Sequence, residues 1–285
     1  MNLTQRISSP QISVSNSYYS NNMWHIIRAA LITGFRIIWS YFTWMISYSK
    51  KRDKIPADKR YKKARKLITK VNHALRMEIL IEGQENIPQE VSCFISNHQG
   101  AADPLIYFET FKEDNPVTFL AKKEVEQMPF VGKVFKSDLG LFLNREDLKQ
   151  QLRVMMKVQD SLARKEINWV IFPEGTRNKD NMGLLLPFHH GTFRPAMKAG
   201  VPLVPTVVYG SFRILSKKHN YKRYPTYIKF LEPIYPSEYA GKSTEEVAQI
   251  VQSRIQKELT FNTRKIDHQR MVDLHDKFYR VNRIH

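Results

Sequence analysis

The chain has 285 residues, 42% of them hydrophobic and 25% charged. That composition excludes collagen-like, coiled-coil and wholly disordered classes and allows one sizeable core with a small appendage. A formal net charge of +18 points to polyanionic partners such as nucleic acid, anionic membrane or phosphorylated ligands. A single cysteine, Cys93, rules out an internal disulfide and a cysteine-based zinc site. Its setting, Val91-Ser92-Cys93-Phe94-Ile95, reads as a small core residue in a buried strand of a protein from a reducing compartment.

Residues 1–22 are polar, rich in Ser, Asn and Tyr, and read as a disordered leader. In residues 23–48 the apolar run is interrupted by Arg28 and Arg36, and its longest uncharged stretch, Ile37 to Ser49, falls short of the roughly 20 apolar residues a spanning helix needs. Wound at about 100° per residue, His25, Arg28, Thr33, Arg36, Ser40, Thr43 and Ser47 share one arc, while Trp24, Ile27, Leu31, Phe35, Ile38, Phe42 and Met45 crowd the other side. This is the pattern of an amphipathic helix lying in the headgroup region, although a helix packed on the protein's own core has the same periodicity. The split apolar run and the lack of a small-residue cleavage site argue against a signal peptide. Lys50 to Lys70 then holds eleven Lys/Arg against Asp53 and Asp58. Pro56 opens a second helix, Ala57 to Leu75, with a basic face. A greasy helix beside a polybasic one predicts a membrane-docking unit over 23–75, suited to anionic headgroups.

From residue 76 to 260 strands and helices alternate. Strands are expected at Met77–Ile81, Val91–Ser96, Val117–Ala121, Gly140–Leu143, Trp169–Phe172, Leu203–Val208 and Tyr227–Leu231. Helices are expected at Pro104–Phe111, Asp147–Lys165, Thr192–Ala199 and Ser243–Leu259, the last opened by Ser243 or Thr244 with Glu246 as a capping pair. The alternation predicts an α/β fold with a mostly parallel sheet flanked by helices. Residues 261–285 form a basic C-terminal tail.

Two strand ends carry chemistry. Ser96-Asn97-His98-Gln99-Gly100-Ala101-Ala102-Asp103-Pro104 places His98 at the carboxyl end of a strand, where ligands bind in α/β sheets. Asp103-Pro104 has the form of a helix N-cap with proline at the first helical position. Each residue alone has an ordinary structural reading. Together, across a Gly/Ala-rich turn, they can form an Asp-oriented imidazole whose other nitrogen acts as a general base. There is no G-x-S-x-G elbow and Cys93 reads as buried, so a base without an enzyme nucleophile implies direct attack by a substrate hydroxyl. The second segment is Phe172-Pro173-Glu174-Gly175-Thr176-Arg177. Gly175 permits close backbone approach, Thr176 adds a hydroxyl, and Arg177 adds a donor fork matched to phosphate. The alternative is a plain strand-to-loop turn with a surface arginine. His189-His190 has no carboxylate or cysteine at metal-binding spacing, and no metal is expected.

These residues resemble the glycerolipid acyltransferase family, and within it the 1-acylglycerol-3-phosphate acyltransferases. Four blocks are similar in order: Asn97-His98 with Asp103, Gly140 to Arg145, Phe172 to Arg177, and Val201-Pro202-Leu203-Val204-Pro205. The first and third are specific; the fourth alone is weak. Gly100 departs from the family, whose members often carry serine there. The resemblance implies that His98, oriented by Asp103, deprotonates a glycerol hydroxyl that attacks an acyl thioester. It implies that Arg145, Glu174, Gly175 and Arg177, with Thr176 and by analogy Lys122, bind the glycerol phosphate. The implied acceptor is lysophosphatidic acid. The donor is acyl-CoA or acyl carrier protein, a co-substrate rather than a cofactor. The implied setting is the cytoplasmic face of a membrane, on a monotopic rather than a spanning protein. No nucleic-acid motif accompanies the charge, so no nucleic-acid partner is expected. Glycerol-3-phosphate or another lysophospholipid is the alternative acceptor.

Overall fold

A computed structural model describes residues 24–178, 183–216 and 222–260; the leader over 1–22 and the tail over 261–285 lie outside them. Seven strands form one sheet in the order β1-β7-β6-β2-β5-β3-β4. They are β1 (Met77–Glu82), β2 (Cys93–Ser96), β3 (Val117–Lys122), β4 (Gly140–Leu143), β5 (Asn168–Ile171), β6 (Leu203–Tyr209) and β7 (Tyr224–Phe230). β6, β2, β5, β3 and β4 run parallel; β7 pairs antiparallel with β6, and β1 follows β7 in parallel. The expected mostly parallel α/β sheet is therefore present, with two reversed strands on one side.

The central strands read as short apolar runs because both faces are covered. Cys93, Ile95, Trp169, Ile171, Leu203 and Val207 share one core with Val158, Leu162, Ala196, Val247, Val251 and Ile255. Those partners come from α4 (Leu148–Ala163), α5 (Arg194–Ala199) and α6 (Thr244–Glu258). The alternate residues Phe94, Val170, Val204, Val208 and Ile228 face the other way, onto Tyr61, Ala64, Leu67, Ile106, Tyr107 and Phe108 of α2 (Ala57–Ala74) and α3 (Asp103–Thr110). This strict alternation fixes the register, since a slip of one residue would exchange the two cores.

Sequence cues set several boundaries. Asp147 caps α4 by accepting from Gln150 N, and at α6 Ser243 and Glu246 form a reciprocal capping box. The helix expected from Thr192 begins instead as a 3-10 turn, His190–Phe193, before Arg194. Residues between β3 and β4 had no expected structure. They form three short turns, Lys123–Gln127, Val131–Val134 and Phe135–Leu139.

Helix α1 (Trp24–Lys50), with one π-turn at Tyr41–Met45, has 27 residues and is long and apolar enough to cross a membrane by length and composition. His25 and Thr33 turn inward, while Arg28, Arg36 and Thr43 stay exposed. His25 is buried, with Nε2 2.9 Å from the Ile214 carbonyl, and Thr33 is buried beside it. Trp24, Ile27, Leu31, Phe35, Ile38, Trp39 and Phe42 face outward, Leu31 at 75% and Phe35 at 76% exposure. Met45, on the same apolar side by periodicity, is buried instead in the core that holds Tyr61, Phe108 and Phe119.

The basic block divides by residue type. Lys50, Lys51, Lys54, Lys59, Lys62, Lys63, Lys66 and Lys70 are exposed, whereas Arg52, Arg60 and Arg65 are half-buried. Arg52 donates to the Gly140 carbonyl, Arg60 to Ser137 and Arg65 to Phe108 and Phe111. The planar guanidinium forks bind backbone carbonyls, and the lysines carry the outward charge.

Candidate active site

The parallel strands β4, β3, β5, β2 and β6 present their carboxyl ends on one edge. The loops that follow them bring the expected residues to that edge. His98 lies two residues beyond β2, Arg145 two beyond β4, and Glu174 to Arg177 just beyond β5; Lys122 ends β3. Parallel pairing makes this convergence inevitable, because every such strand ends at the same side.

At the centre His98 Nδ1 lies 2.6 Å from Asp103 Oδ2. Asp103 is fully buried and also accepts from Gln99 N at 2.8 Å, from Gly100 N at 3.1 Å and from the Ser211 hydroxyl. An ionised carboxylate only accepts, so Nδ1 carries the proton and Nε2 is left as the basic nitrogen. The His98 ring stacks on Phe172 with centroids 4.4 Å apart, which fixes its plane. Its side chain is one-fifth exposed, open enough to meet a substrate. The Asp103 carboxylate does not cap α3 as expected: Ala102 is the N-cap residue and no side chain caps that end. The carboxylate is turned back into the His98 loop, where four donors hold it.

Glu174 also departs from expectation. It is 3% exposed, with Oε1 accepting from His98 N at 2.7 Å and Oε2 from Leu186 N at 3.0 Å. Burial raises its pKa, partly offset by these two bonds. A buried carboxylate with both oxygens engaged by backbone is no ligand for phosphate. It ties the His98 loop to the loop after β5, an attachment repeated by Asn178 N donating to the His98 carbonyl at 2.9 Å.

Gly175 adopts φ +64°, and a side-chain carbon built there would lie 3.1 Å from Arg145 Nη2 and 3.1 Å from His189 Cδ2. The structure therefore brings Arg145 to Gly175 across the gap between the β4 and β5 loops. Lys122, Thr176 and Arg177 stand exposed on the same edge; they share it with His98 without closing on it.

Sequence reasoning missed Ser211, 108 residues from its partner Asp103, in a Ser211–Arg213 turn that carries no motif. It also missed the bracing by Asn97, which exchanges two hydrogen bonds with the Val208 backbone, and by Gln99, which accepts from Gly210 N. Gly100 is explained by the same turn: a side-chain carbon there would meet the Ser211 backbone at 2.9 Å.

A half-buried, Asp-held imidazole lies beside a glycine turn flanked by cations, with no thiol or serine nucleophile joined to it among the described residues, an arrangement that suits a general base. Residues 78–209 match the family model described as Acyltransferase, a span that contains all four blocks. The chain is 26% identical over 213 residues to the "Probable 1-acyl-sn-glycerol-3-phosphate acyltransferase" of Mycoplasma pneumoniae, covering 71% of this chain and 79% of that one. It is 26% identical to the 1-acyl-sn-glycerol-3-phosphate acyltransferase of Saccharomyces cerevisiae, covering 64% of this chain and 59% of that one. Against the human 1-acyl-sn-glycerol-3-phosphate acyltransferase beta, identity is 38% over 118 residues, 41% of each chain. The chain thus spans less than two thirds of the yeast and human relatives. In fold it is similar to the crystal structure of the 1-acyl-sn-glycerophosphate (LPA) acyltransferase PlsC from Thermotoga maritima. The TM-score is 0.63 at 24% identity, over 82% of this chain and 96% of that one.

Proposed function

We propose that the protein transfers a fatty acyl group from a thioester, of coenzyme A or of acyl carrier protein, to the sn-2 hydroxyl of lysophosphatidic acid, making phosphatidic acid. The observation that carries this reading is the 2.6 Å contact between His98 Nδ1 and Asp103 on the sheet edge shared with Arg145, Gly175 and Arg177. Nε2 of His98 takes the proton of the acceptor hydroxyl as its oxygen attacks the thioester carbonyl. The resulting tetrahedral oxyanion collapses, the C–S bond breaks, and the thiolate leaves and takes up the proton held on His98. Asp103 holds the ring in the tautomer that leaves Nε2 free and stabilises the imidazolium formed in the first step. Arg145 and Arg177, with the Gly175 turn, Thr176 and Lys122, hold the acceptor's phosphate.

A lipid acceptor requires the enzyme at an interface. The outward apolar stripe of α1 together with the eight exposed lysines from Lys50 to Lys70 supports attachment to an anionic, cytoplasmic membrane face. The burial of His25 and Thr33 against the protein favours α1 lying along the surface on the domain rather than crossing alone. The test supplies purified protein in anionic liposomes with labelled acyl-CoA or acyl carrier protein and lysophosphatidic acid. Formation of phosphatidic acid is expected. Turnover only with glycerol-3-phosphate or another lysophospholipid would overturn the acceptor and keep the chemistry. Release of free fatty acid without any acceptor would replace transfer by hydrolysis.

A further inference from the structure

We infer that His189 is a phosphate-binding residue of the acceptor site, paired with Arg145 across Gly175; this rests on the acceptor reading above. The bare Cα of Gly175, the Arg145 guanidinium and the His189 ring meet at this point of the sheet edge. The ring's Cδ2 and Nε2 come to 3.1 and 3.3 Å of the position a Gly175 side chain would occupy, and Arg145 Nη2 comes to 3.1 Å of it. The two side chains arrive from different elements, Arg145 from the loop after β4 and His189 from the turn before α5, and converge on one residue. Glycine with φ +64° gives them that space.

His189 is also held as a site residue is held. Its backbone N–H donates to the Pro173 carbonyl at 2.9 Å, which ties it to the loop after β5. Its carbonyl accepts from both Thr192 N at 3.0 Å and Thr192 Oγ1 at 2.7 Å. The backbone is thus fixed at both ends while the ring remains exposed. The neighbouring His190 points elsewhere, with Nδ1 3.4 Å from Thr244 Oγ1, so the pair is not a two-histidine cluster. An imidazole N–H beside a guanidinium suits a phosphomonoester, which offers three acceptor oxygens: Arg145 takes two in its fork and His189 a third. The ligand class is a phosphomonoester, which on the acceptor reading is the glycerol phosphate; the kinetics below separate it from the phosphomonoester that coenzyme A carries.

The experiment compares wild type, His189→Ala and His189→Lys. Steady-state kinetics are measured with lysophosphatidic acid at saturating thioester and with thioester at saturating acceptor. Removing one hydrogen bond to a charged group is expected to raise KM for the acceptor about tenfold. The change in kcat should be much smaller, KM for the thioester should be unaffected, and lysine should restore most of the loss. An unchanged acceptor KM in His189→Ala, a rise in the thioester KM instead, or a kcat defect that lysine does not relieve would overturn the assignment. Glycerol-3-phosphate is titrated in parallel, following imidazole NMR signals of the full-length protein in detergent. His189 should shift on titration, and the dissociation constant should weaken in His189→Ala. This readout works without turnover, so failure of the lysophosphatidic acid reading and failure of the His189 assignment give different results. A His189 signal indifferent to glycerol-3-phosphate in a protein that does acylate lysophosphatidic acid would also reject it.

Discussion

The His98 edge and helix α1 solve opposite solvation problems. At the edge, polar groups are buried and nearly every one is spoken for: Asp103 has four donors and Glu174 two. In α1 the polar residues His25 and Thr33 face the protein while a row of large apolar side chains faces out. A buried carboxylate is tolerable only when paired and hydrogen-bonded, so the first region is rigid by necessity. An exposed apolar stripe of this extent marks a face that a membrane or a partner protein covers. On the proposed function the same chain serves two media, with the imidazole on the protein side and the acceptor's acyl chain on the lipid side.

The largest expected effect breaks the first region. His98→Ala removes the base, and kcat should fall roughly a thousandfold, in line with the 10²–10⁴ range for general-base catalysis. Membrane attachment, measured by liposome flotation, should stay as it is. Full activity in this variant would sink the mechanism. The second effect breaks the other region. Leu31 and Phe35 lie on the outward stripe, and each large side chain moved from water to lipid contributes about 1.5–3 kcal/mol. Leu31→Glu with Phe35→Glu should therefore weaken liposome partitioning on the order of a hundredfold, while turnover of micellar substrate in detergent survives. If flotation is unchanged, the stripe does not hold the membrane. If detergent activity disappears with it, α1 serves the fold rather than the interface.

How far each region could be read from sequence follows from the range of its interactions. The strands and most helices announced themselves by apolar runs, capping residues and turn glycines, which are local signals. His98 and Asp103 are five residues apart, and the loop between them contains its own logic. The pairing of Asp103 with the ring is legible in this way, but the cap that D-P also suggests is not made, because that pattern describes a backbone position and not where the carboxylate points. Glu174 was grouped with its neighbours Gly175 and Arg177 by adjacency in the chain. Its true partners, His98 N and Leu186 N, come from the β2 loop and from the chain before α5. His189 and Ser211 reach the site only through sheet topology. Residues 123–139, with short turns and no sustained period, offered nothing to count. The division of the basic block into bound arginines and free lysines likewise depends on which carbonyls lie near.

The smallest effect concerns Ser211, and it sharpens the account of how the edge is held. Its hydroxyl donates to Asp103 Oδ1, whose other partner on that oxygen is Gly100 N at 3.2 Å. Ser211→Ala leaves the dyad in place but removes one donor from a buried charge, a loss of about 1.5 kcal/mol or more. Turnover should drop about tenfold, with acceptor KM little changed, because Ser211 positions Asp103 and touches no substrate. A serine at position 100 is not expected to compensate. A side-chain carbon there would sit 2.9 Å from the Ser211 carbonyl carbon and oxygen and 3.0 Å from Phe212 N, all backbone atoms that cannot rotate away. Gly100→Ser in the Ser211→Ala background should therefore be less active than Ser211→Ala alone, and should melt at a lower temperature. Rescue by that double variant would mean the turn at Ser211–Arg213 yields easily. The hydroxyl on Asp103 could then be supplied from either loop, and Ser211 would lose its claim to a specific place in the site.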